Sequence, residues 1–295
     1  MNFYDDQDEE QASWKLRALR NLVMWWAMFV AVSGVGIVSL IILWPPLSAI
    51  TRGITDRGCQ GNSPRNATVD ATGARLLRII SDRGDLEING RTGLSEVRIE
   101  GVACANQSEL IEIVLITLDV TREGDEIIVI VDIPNSTRTG QLNLSIDVPA
   151  DLPRVEIEDE DGPVIVSNIR NLHVIVGNGG LDARSISGDV VVPSLRGPAT
   201  LLDIGGNVVL DEVRGRVGID IRDVQGNVTI GLNLFGPARI ADILGDVTVA
   251  SAGFGDMDVQ RVAGNLVILD NLRGDISHSE IGGNVVLPGE SEGDS

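Results

Sequence analysis

The sequence predicts a mainly β protein: a parallel β-solenoid, or β-helix, with turns of about 19 residues, preceded by an antiparallel β section and one N-terminal transmembrane helix. Three observations carry this expectation. A glycine-led phrase returns six times, beginning at Gly188, Gly206, Gly226, Gly245, Gly264 and Gly283, with spacings of 18, 20, 19, 19 and 19 residues. Within each phrase the second and fourth residues after the glycine are aliphatic, from Val190/Val192 and Val208/Leu210 to Val285/Leu287. Finally, Leu22 to Trp44 is an uncharged stretch of 23 residues.

Composition limits what the chain can do. It has 43 Asp and Glu against 23 Lys and Arg, a net charge of −20, and Lys15 is its single lysine. Such a balance argues against nucleic acid as a partner, because phosphates demand a basic footprint. Seven of the nine aromatic residues fall in the first 44 positions, and only Phe235 and Phe254 follow. The remaining core must therefore be built from Val, Ile, Leu and Ala, which suits a thin, regularly stacked β interior.

Residues 1–20 read as a short cytoplasmic tail, opening on the acidic run Asp5-Asp6-Gln7-Asp8-Glu9-Glu10. The helix expected over 21–45 is long enough to span about 30 Å of hydrocarbon. Trp25, Trp26 and Trp44 lie near its ends, where indole rings prefer the headgroup level, and Pro45-Pro46 stops it. Lys15, Arg17 and Arg20 on the N-terminal flank put the tail inside and the rest of the chain outside the cell membrane. A cleaved signal peptide is the rival reading. It is disfavoured by the length of the run and by Leu47, which puts a large residue at the −3 position of a cleavage site after Leu47-Ser48-Ala49.

Residues 46–75 are rich in Pro, Gly, Ser, Asn and Thr and read as a tether. Cys59 lies in it, and the only other cysteine is Cys104. In an extracytoplasmic compartment a disulfide between Cys59 and Cys104 is their simplest use. Residues 76–160 read as antiparallel β structure. Leu142, Leu144, Ile146 and Val148 alternate with polar residues, and Gly124 supplies a hairpin turn between strands at Ile111–Val120 and Ile127–Ile133.

Residues 161–288 hold the repeats, followed by a polar tail at 289–295. A branched apolar residue also stands two before each leading glycine: Ile186, Ile204, Val224, Ile243, Val262 and Ile281. A second phrase at half period supplies Ala199/Leu201, Val217/Ile219, Ala238/Ile240 and Met257/Val259. Period two sends these columns inward. Gly followed by Asp or Asn before each strand is expected to make a turn in left-handed conformation. An antiparallel meander would alternate as well, but it does not require matching columns every 19 residues.

Gly84-Asp85-Leu86-Glu87-Ile88, the segment Asp147-Val148-Pro149-Ala150-Asp151-Leu152 and the recurring Gly-Asp/Asn-Val phrase resemble the DUF4097-type, adhesin-like family, grouped with toastrack-type domains of bacterial envelope proteins. The similarity covers about residues 76–288. It implies a β-solenoid displayed outside a bacterial membrane, with adhesion or envelope-stress sensing as its role, and no catalytic residues.

The residues themselves offer little chemistry. The two histidines, His173 and His278, are far apart in sequence, and His278 reads as a cap of the last turn, in a column otherwise filled by Ile219, Ile240 and Val259. Gly177-Asn178-Gly179-Gly180 lacks the Lys-Ser/Thr of a phosphate loop. The best candidate is the column three before each leading glycine: Ser185, Asp203, Asp223, Asp242, Arg261 and Glu280. Asp203, Asp223 and Asp242 stacked in successive turns would bind a cation such as calcium or a sugar, or simply stay solvated, or pair with Arg214, Arg216 or Arg222. No cofactor is expected. The function expected is therefore that of a non-catalytic, membrane-anchored surface interaction module. An envelope-stress sensor or scaffold is the alternative, and a polysaccharide-acting enzyme stands behind both. Expected partners are membrane lipid through residues 22–44 and a surface or envelope protein or glycan.

Overall fold

The structure is a computed structural model, and it describes residues 61–105, 112–134, 139–214, 218–233, 236–253, 255–270 and 273–288. The expected cytoplasmic tail, transmembrane helix, Cys59 and terminal tail lie outside the described residues. Among the described residues no helix is long and apolar enough to cross a membrane.

The N-terminal part contributes β1 (Gly61–Asp70), β2 (Leu76–Arg83), β3 (Leu86–Arg91), β4 (Glu96–Ala105), β5 (Thr117–Glu123), β6 (Glu126–Asp132), β7 (Gln141–Pro149) and β8 (Arg154–Asp161). Coiling continues through β9 (Val164–Ser167), β10 (Leu172–Val176), β11 (Leu181–Ile186), β12 (Val190–Leu195), β13 (Ala199–Ile204), β14 (Val208–Val213) and β15 (Ile219–Val224). It ends with β16 (Val228–Asn233), β17 (Ala238–Ile243), β18 (Val247–Ala252), β19 (Met257–Val262), β20 (Leu266–Ile268), β21 (Ile276–Ile281) and β22 (Val285–Val286). These strands make two sheets of eleven. The first runs β1-β4-β7-β3-β9 and then takes every odd strand to β21; the second runs β5-β6-β2-β8-β10 and then every even strand to β22.

Each turn of the solenoid thus gives one strand to each sheet, and strands of successive turns pair in parallel. The interior columns follow the expected period of two. Val190, Val192, Val208, Leu210, Val228, Ile230, Val247 and Val249 are fully buried, as are Ile186, Ile204 and Val224 from the opposite sheet. No turn could bury this stripe alone, so each strand's apolar face is covered only because its neighbours are folded.

Four expectations need correction. Residues 76–160 are not purely antiparallel, because β2 pairs in parallel with β6 and β8, and β3 with β7 and β9. Only β1–β4, β4–β7 and β5–β6 are antiparallel. Alternation reports which face is buried and is blind to strand direction. The tether over 46–75 is shorter than expected at its C-terminal end: residues 61–70 form β1, in a ten-residue register with β4 from Gly61↔Ala105 to Asp70↔Glu96. As an edge strand it shows only Ala67 and Val69 to the core, so its polar sequence hides it.

The inward pair of the half-period phrase after Gly215 lies two residues beyond the expected Val217/Ile219. Ile219 and Ile221 are the inward pair, in register with Ala199 and Leu201. Residues 214–218 separate β14 from β15, whereas only 196–198 separate β12 from β13, so the longer interval in the sequence falls between these strands. His278 accordingly continues the column of Ile221, Ile240 and Val259, and it is exposed in the last turn.

Finally, the leading glycines do not supply the left-handed turns. Among the described residues the non-glycine residues with positive φ are Asn168, Ser185, Asp203, Asp223, Asp242, Arg261 and Glu280, at φ between 52° and 60°, and none of the leading glycines has one. The glycines serve close approach instead. A Cβ on Gly206 would overlap Asp189 Oδ1 and stand 2.6 Å from the Gly188 carbonyl carbon. The hairpin glycine Gly124, at φ 65°, does behave as expected.

Candidate functional site

The column singled out in the sequence is the corner of the solenoid. In each turn the left-handed residue lies near the end of a first-sheet strand, turns its own side chain outward, and lets the next residue, such as Ile204 or Val224, point back into the core. Aspartate, asparagine and serine accept this conformation better than most residues; Arg261 and Glu280 are held in it by the turns around them. Asp203, Asp223, Asp242, Arg261 and Glu280 line a groove of about 720 Å³ along that corner, together with Leu244, which is 66% exposed.

Within the groove the acids have specific partners. Ser185 Oγ donates to Asp203 Oδ2 at 2.9 Å. Arg261 forks onto Asp242, with Nε to Oδ1 at 2.5 Å and Nη2 to Oδ2 at 2.7 Å. That hydrogen bonding, with the guanidinium charge, holds the Asp242 carboxyl below the usual carboxylate range and raises Arg261. The alternative pairing of the column with other arginines is not what forms: Arg222 binds Asp220 and Arg214 binds Glu212, each two residues away on its own strand or at its end. Arg216 lies outside the described residues. Among the described residues no group of three or more His, Cys, Asp and Glu side chains is placed to hold a metal ion.

A second set of residues at the same corner carries the turn itself. Asn171, Asp189, Asn207, Asn227, Asp246, Asn265 and Asn284 form a ladder. The Oδ1 of each accepts the backbone N–H of the next, at 3.0, 2.7, 2.9, 2.8, 2.7 and 2.9 Å. Asn207 and Asn265 add Nδ2 donations to Asp189 and Asp246 at 3.1 and 3.0 Å. No two aspartates are adjacent in this ladder, so every carboxylate is flanked by amides. The signal is present in the sequence as the Asp or Asn after each leading glycine, a pattern that on its own indicates no more than a local turn.

The opposite corner holds a second groove, of about 680 Å³, lined by Pro198, Asp220, Pro237, Asp256, Asp258 and Asp275 among others. Gln260 Nε2 donates to both oxygens of Asp258, and the backbone N–H of Asp275 donates to Asp256 Oδ1 at 3.1 Å. Sequence reasoning missed these acids because they lie on the half-period phrase and its outward positions, which carry no fixed residue type.

The two histidines are not brought together. His173 lies on the outer face of β10, its Nδ1 3.2 Å from Arg154 Nη2, beside an ion-pair chain of Arg154, Glu156, Arg78 and Glu126. Cys104 is disulfide-bonded, while Cys59, its expected partner, lies outside the described residues. One buried acid went unnoticed in the sequence. Asp159 occupies an inward position of β8, in register with Ser81 and Val176, is 2% exposed, and neither carboxylate oxygen has a hydrogen-bond partner. Burial pushes its carboxyl up to about 7, and the nearby charges of Asp161, Asp82 and Asp85 add to the effect.

No family model and no curated protein matches the chain. Solved structures similar to it include a Clostridium sporogenes protein named for cell adhesion, at 10% identity and TM-score 0.32, covering 76% of this chain and 100% of the other. A Bacteroides fragilis protein named as an adhesin is 14% identical at TM-score 0.32, covering 77% and 96%. A Parabacteroides distasonis protein named for lipid binding is 12% identical at TM-score 0.33, covering 78% and 98%. At these TM-scores they carry no argument about what this chain binds, and the β-solenoid rests on its own strand register.

Proposed function

We propose that the protein is a membrane-anchored, extracytoplasmic β-solenoid that acts as a non-catalytic interaction module, using the acidic corner as its contact surface. The observation that carries this reading is the division of labour along the corner. The repeated residues, glycines and the Asn/Asp ladder, fix the backbone, while the left-handed column points outward and differs from turn to turn. A rigid frame presenting variable outward groups is suited to recognising an extended partner. A hydrolytic reading would need a proton-bearing carboxyl in the groove. There, Asp242 is held ionised by Arg261, and Asp159, the one acid with a raised pKa among the described residues, is buried outside the groove. Anchoring by residues 22–44 is part of the proposal and rests on the sequence.

Because the corner is acidic, the partner it suits is cationic. The test uses the full chain in lipid nanodiscs, titrated with a fluorescent lysine-rich peptide and, separately, with an acidic peptide of equal length. Binding should favour the lysine-rich peptide, weaken with salt, and fall about tenfold in an Asp203→Asn/Asp223→Asn variant, the equivalent of ~1.4 kcal/mol. Equal binding by the variant, or by the acidic peptide, would rule the corner out as the contact surface.

A further inference from the structure

The outer faces of the two sheets differ in charge. On the first sheet the second residue of each strand from β11 to β19 faces outward, and four of these five are charged: Asp182, Asp220, Arg239 and Asp258. The matching column of the second sheet, from β12 to β22, is Val191, Val209, Thr229, Thr248, Val267 and Val286, without a charge. Thr229 and Val286 are exposed and the other four half-buried. The core is filled by the inward columns, so this strip of β-branched side chains stands open on a chain of net charge −20. None of the six lines the groove of the acidic corner.

Two features of the column indicate what it meets. Its order, Val-Val-Thr-Thr-Val-Val, is the same from either end. A two-fold axis parallel to the strands, midway between β16 and β18, therefore sets Val191 over Val286 of a second copy, Val209 over Val267, and Thr229 over Thr248. The other feature is where the charges lie. Beyond Val191 the column continues through His173, Glu156 and Arg78, whereas Val286 stands on the last strand of its sheet. Antiparallel stacking leaves that charged segment past the end of the other copy, in water. Stacking in the parallel sense would set Glu156 on Glu156 and Arg78 on Arg78, which like-charge repulsion disfavours.

We infer that two copies of the chain associate antiparallel through this strip, second sheet against second sheet, at the ~10 Å spacing of packed β layers. A second copy is favoured over an unrelated partner because a copy brings the same order of Val and Thr to every position. The strip runs five strand spacings, about 24 Å, and buries roughly 350 Å² per copy, short of the ~800 Å² per partner of a standard interface. The dimer is accordingly weak, with a dissociation constant on the order of 100 µM. Asp211, exposed two residues beyond Val209 on β14, lies beside the strip and adds to the repulsion that the net charge already imposes. Salt, by screening both, strengthens the contact.

The experiment is sedimentation velocity of the full chain in detergent solution, from about 5 to 500 µM protein. Raising salt from about 0.05 to 0.5 M should tighten association severalfold, the reverse of the salt response expected of peptide binding at the corner. Thr229→Asp puts a carboxylate from each copy at the axis and should weaken association at least tenfold, as should Thr248→Arg by its paired cations. An equimolar mixture of these two variants sets carboxylate over guanidinium and should recover most of the loss. Thr200→Asp, on the outer face of the first sheet, should change nothing, and circular dichroism checks that each variant keeps the wild-type β signal. Association that survives Thr229→Asp, or a mixture that recovers nothing, overturns the antiparallel contact. A chain that stays monomeric over the whole range at high salt overturns the dimer itself and leaves the strip to a different partner.

Discussion

At the scale of single residues, Asp159 is the sharpest departure from the solenoid's own rule. Its neighbours in the column are Ser81 and Val176, then Leu195 and Val213, and a carboxylate there has lost water, which the weak pull of the Asp161 backbone N–H does not offset. With a folded-state value of about 7 against about 3.8 for an ordinary aspartate, the folded chain binds the proton more tightly than the unfolded chain. Stability from this group is therefore complete below about pH 4 and is lost as pH rises to 7, by about 4 kcal/mol at most. Asp159→Asn removes the titration. Chemical denaturation should show the variant gaining on the wild type by a few kcal/mol at pH 8 and hardly at all at pH 4. A difference between the two proteins that does not change with pH would refute this reading of Asp159. Nothing in the sequence marked the position, because Glu-Ile-Glu-Asp-Glu-Asp at 156–161 reads as a strand losing itself in an acidic turn. Asn143 was missed in the same way. It was expected to face water, yet it is 4% exposed, with its Oδ1 accepting the backbone N–H of Asp85 at 3.0 Å. Both depend on partners distant in sequence.

At the scale of the element, the repeat was legible where it reports burial and illegible where it reports stacking. The inward columns follow from period two, and the structure buries them as expected. The glycines and the Asp/Asn positions suggest a local turn, whereas each contacts its equivalent one turn away: Gly206 N–H donates to the Gly188 carbonyl, and Asn207 N–H to Asp189 Oδ1. A single turn of sequence cannot show such contacts. The left-handed column was equally hidden, since Arg261 and Glu280 do not favour that conformation on their own. Two contrasts follow. Gly206→Ala forces a Cβ against backbone that cannot retreat and should cost more than about 2 kcal/mol, while Gly218→Ala, whose Cβ would meet the Pro237 carbonyl oxygen at 3.4 Å and its Cγ at 3.6 Å, ordinary contact distances, should stay within about 0.5 kcal/mol. Equal melting temperatures for the two variants would sink the close-approach account. Asn207→Asp would set a carboxylate directly beside Asp189 and remove the Nδ2 donation between them. It should destabilise by about 1–2 kcal/mol at pH 7 and recover as the solution is acidified below about pH 4. Thermal melts across that range check it.

At the scale of the whole solenoid, the two ends of the described structure differ. At the N-terminal end the sheets finish in antiparallel strands, β1 on β4 and β5 on β6, and the 3-10 turn Glu112–Leu115, held by Arg65, closes against them. At the other end β21 and β22 are the last strands of their sheets, and the interior columns run out into partial exposure. Ile276, Ile281, Val285 and Leu287 are only half-buried, although Met257, Val262 and Leu266 one turn earlier are nearly inaccessible. In a stack whose turns contact only their neighbours, stability is roughly a sum of turn and interface terms, and a terminal turn with one interface is the first to open. Amide hydrogen exchange should therefore rise toward the C-terminus. β21 and β22 should exchange fastest and β12–β16 slowest, while β2 and β8, covered on both sides within the second sheet, should stay protected despite lying early in the chain. Ile281→Ala should speed exchange in β19–β22 and leave β8–β12 unchanged, because its loss weakens one interface. Val192→Ala, buried with interfaces on both sides, should lower protection over a much longer stretch. If Ile281→Ala raised exchange uniformly along the chain, the solenoid would be unfolding as one cooperative block, and the turn-by-turn description of its stability would have to be given up.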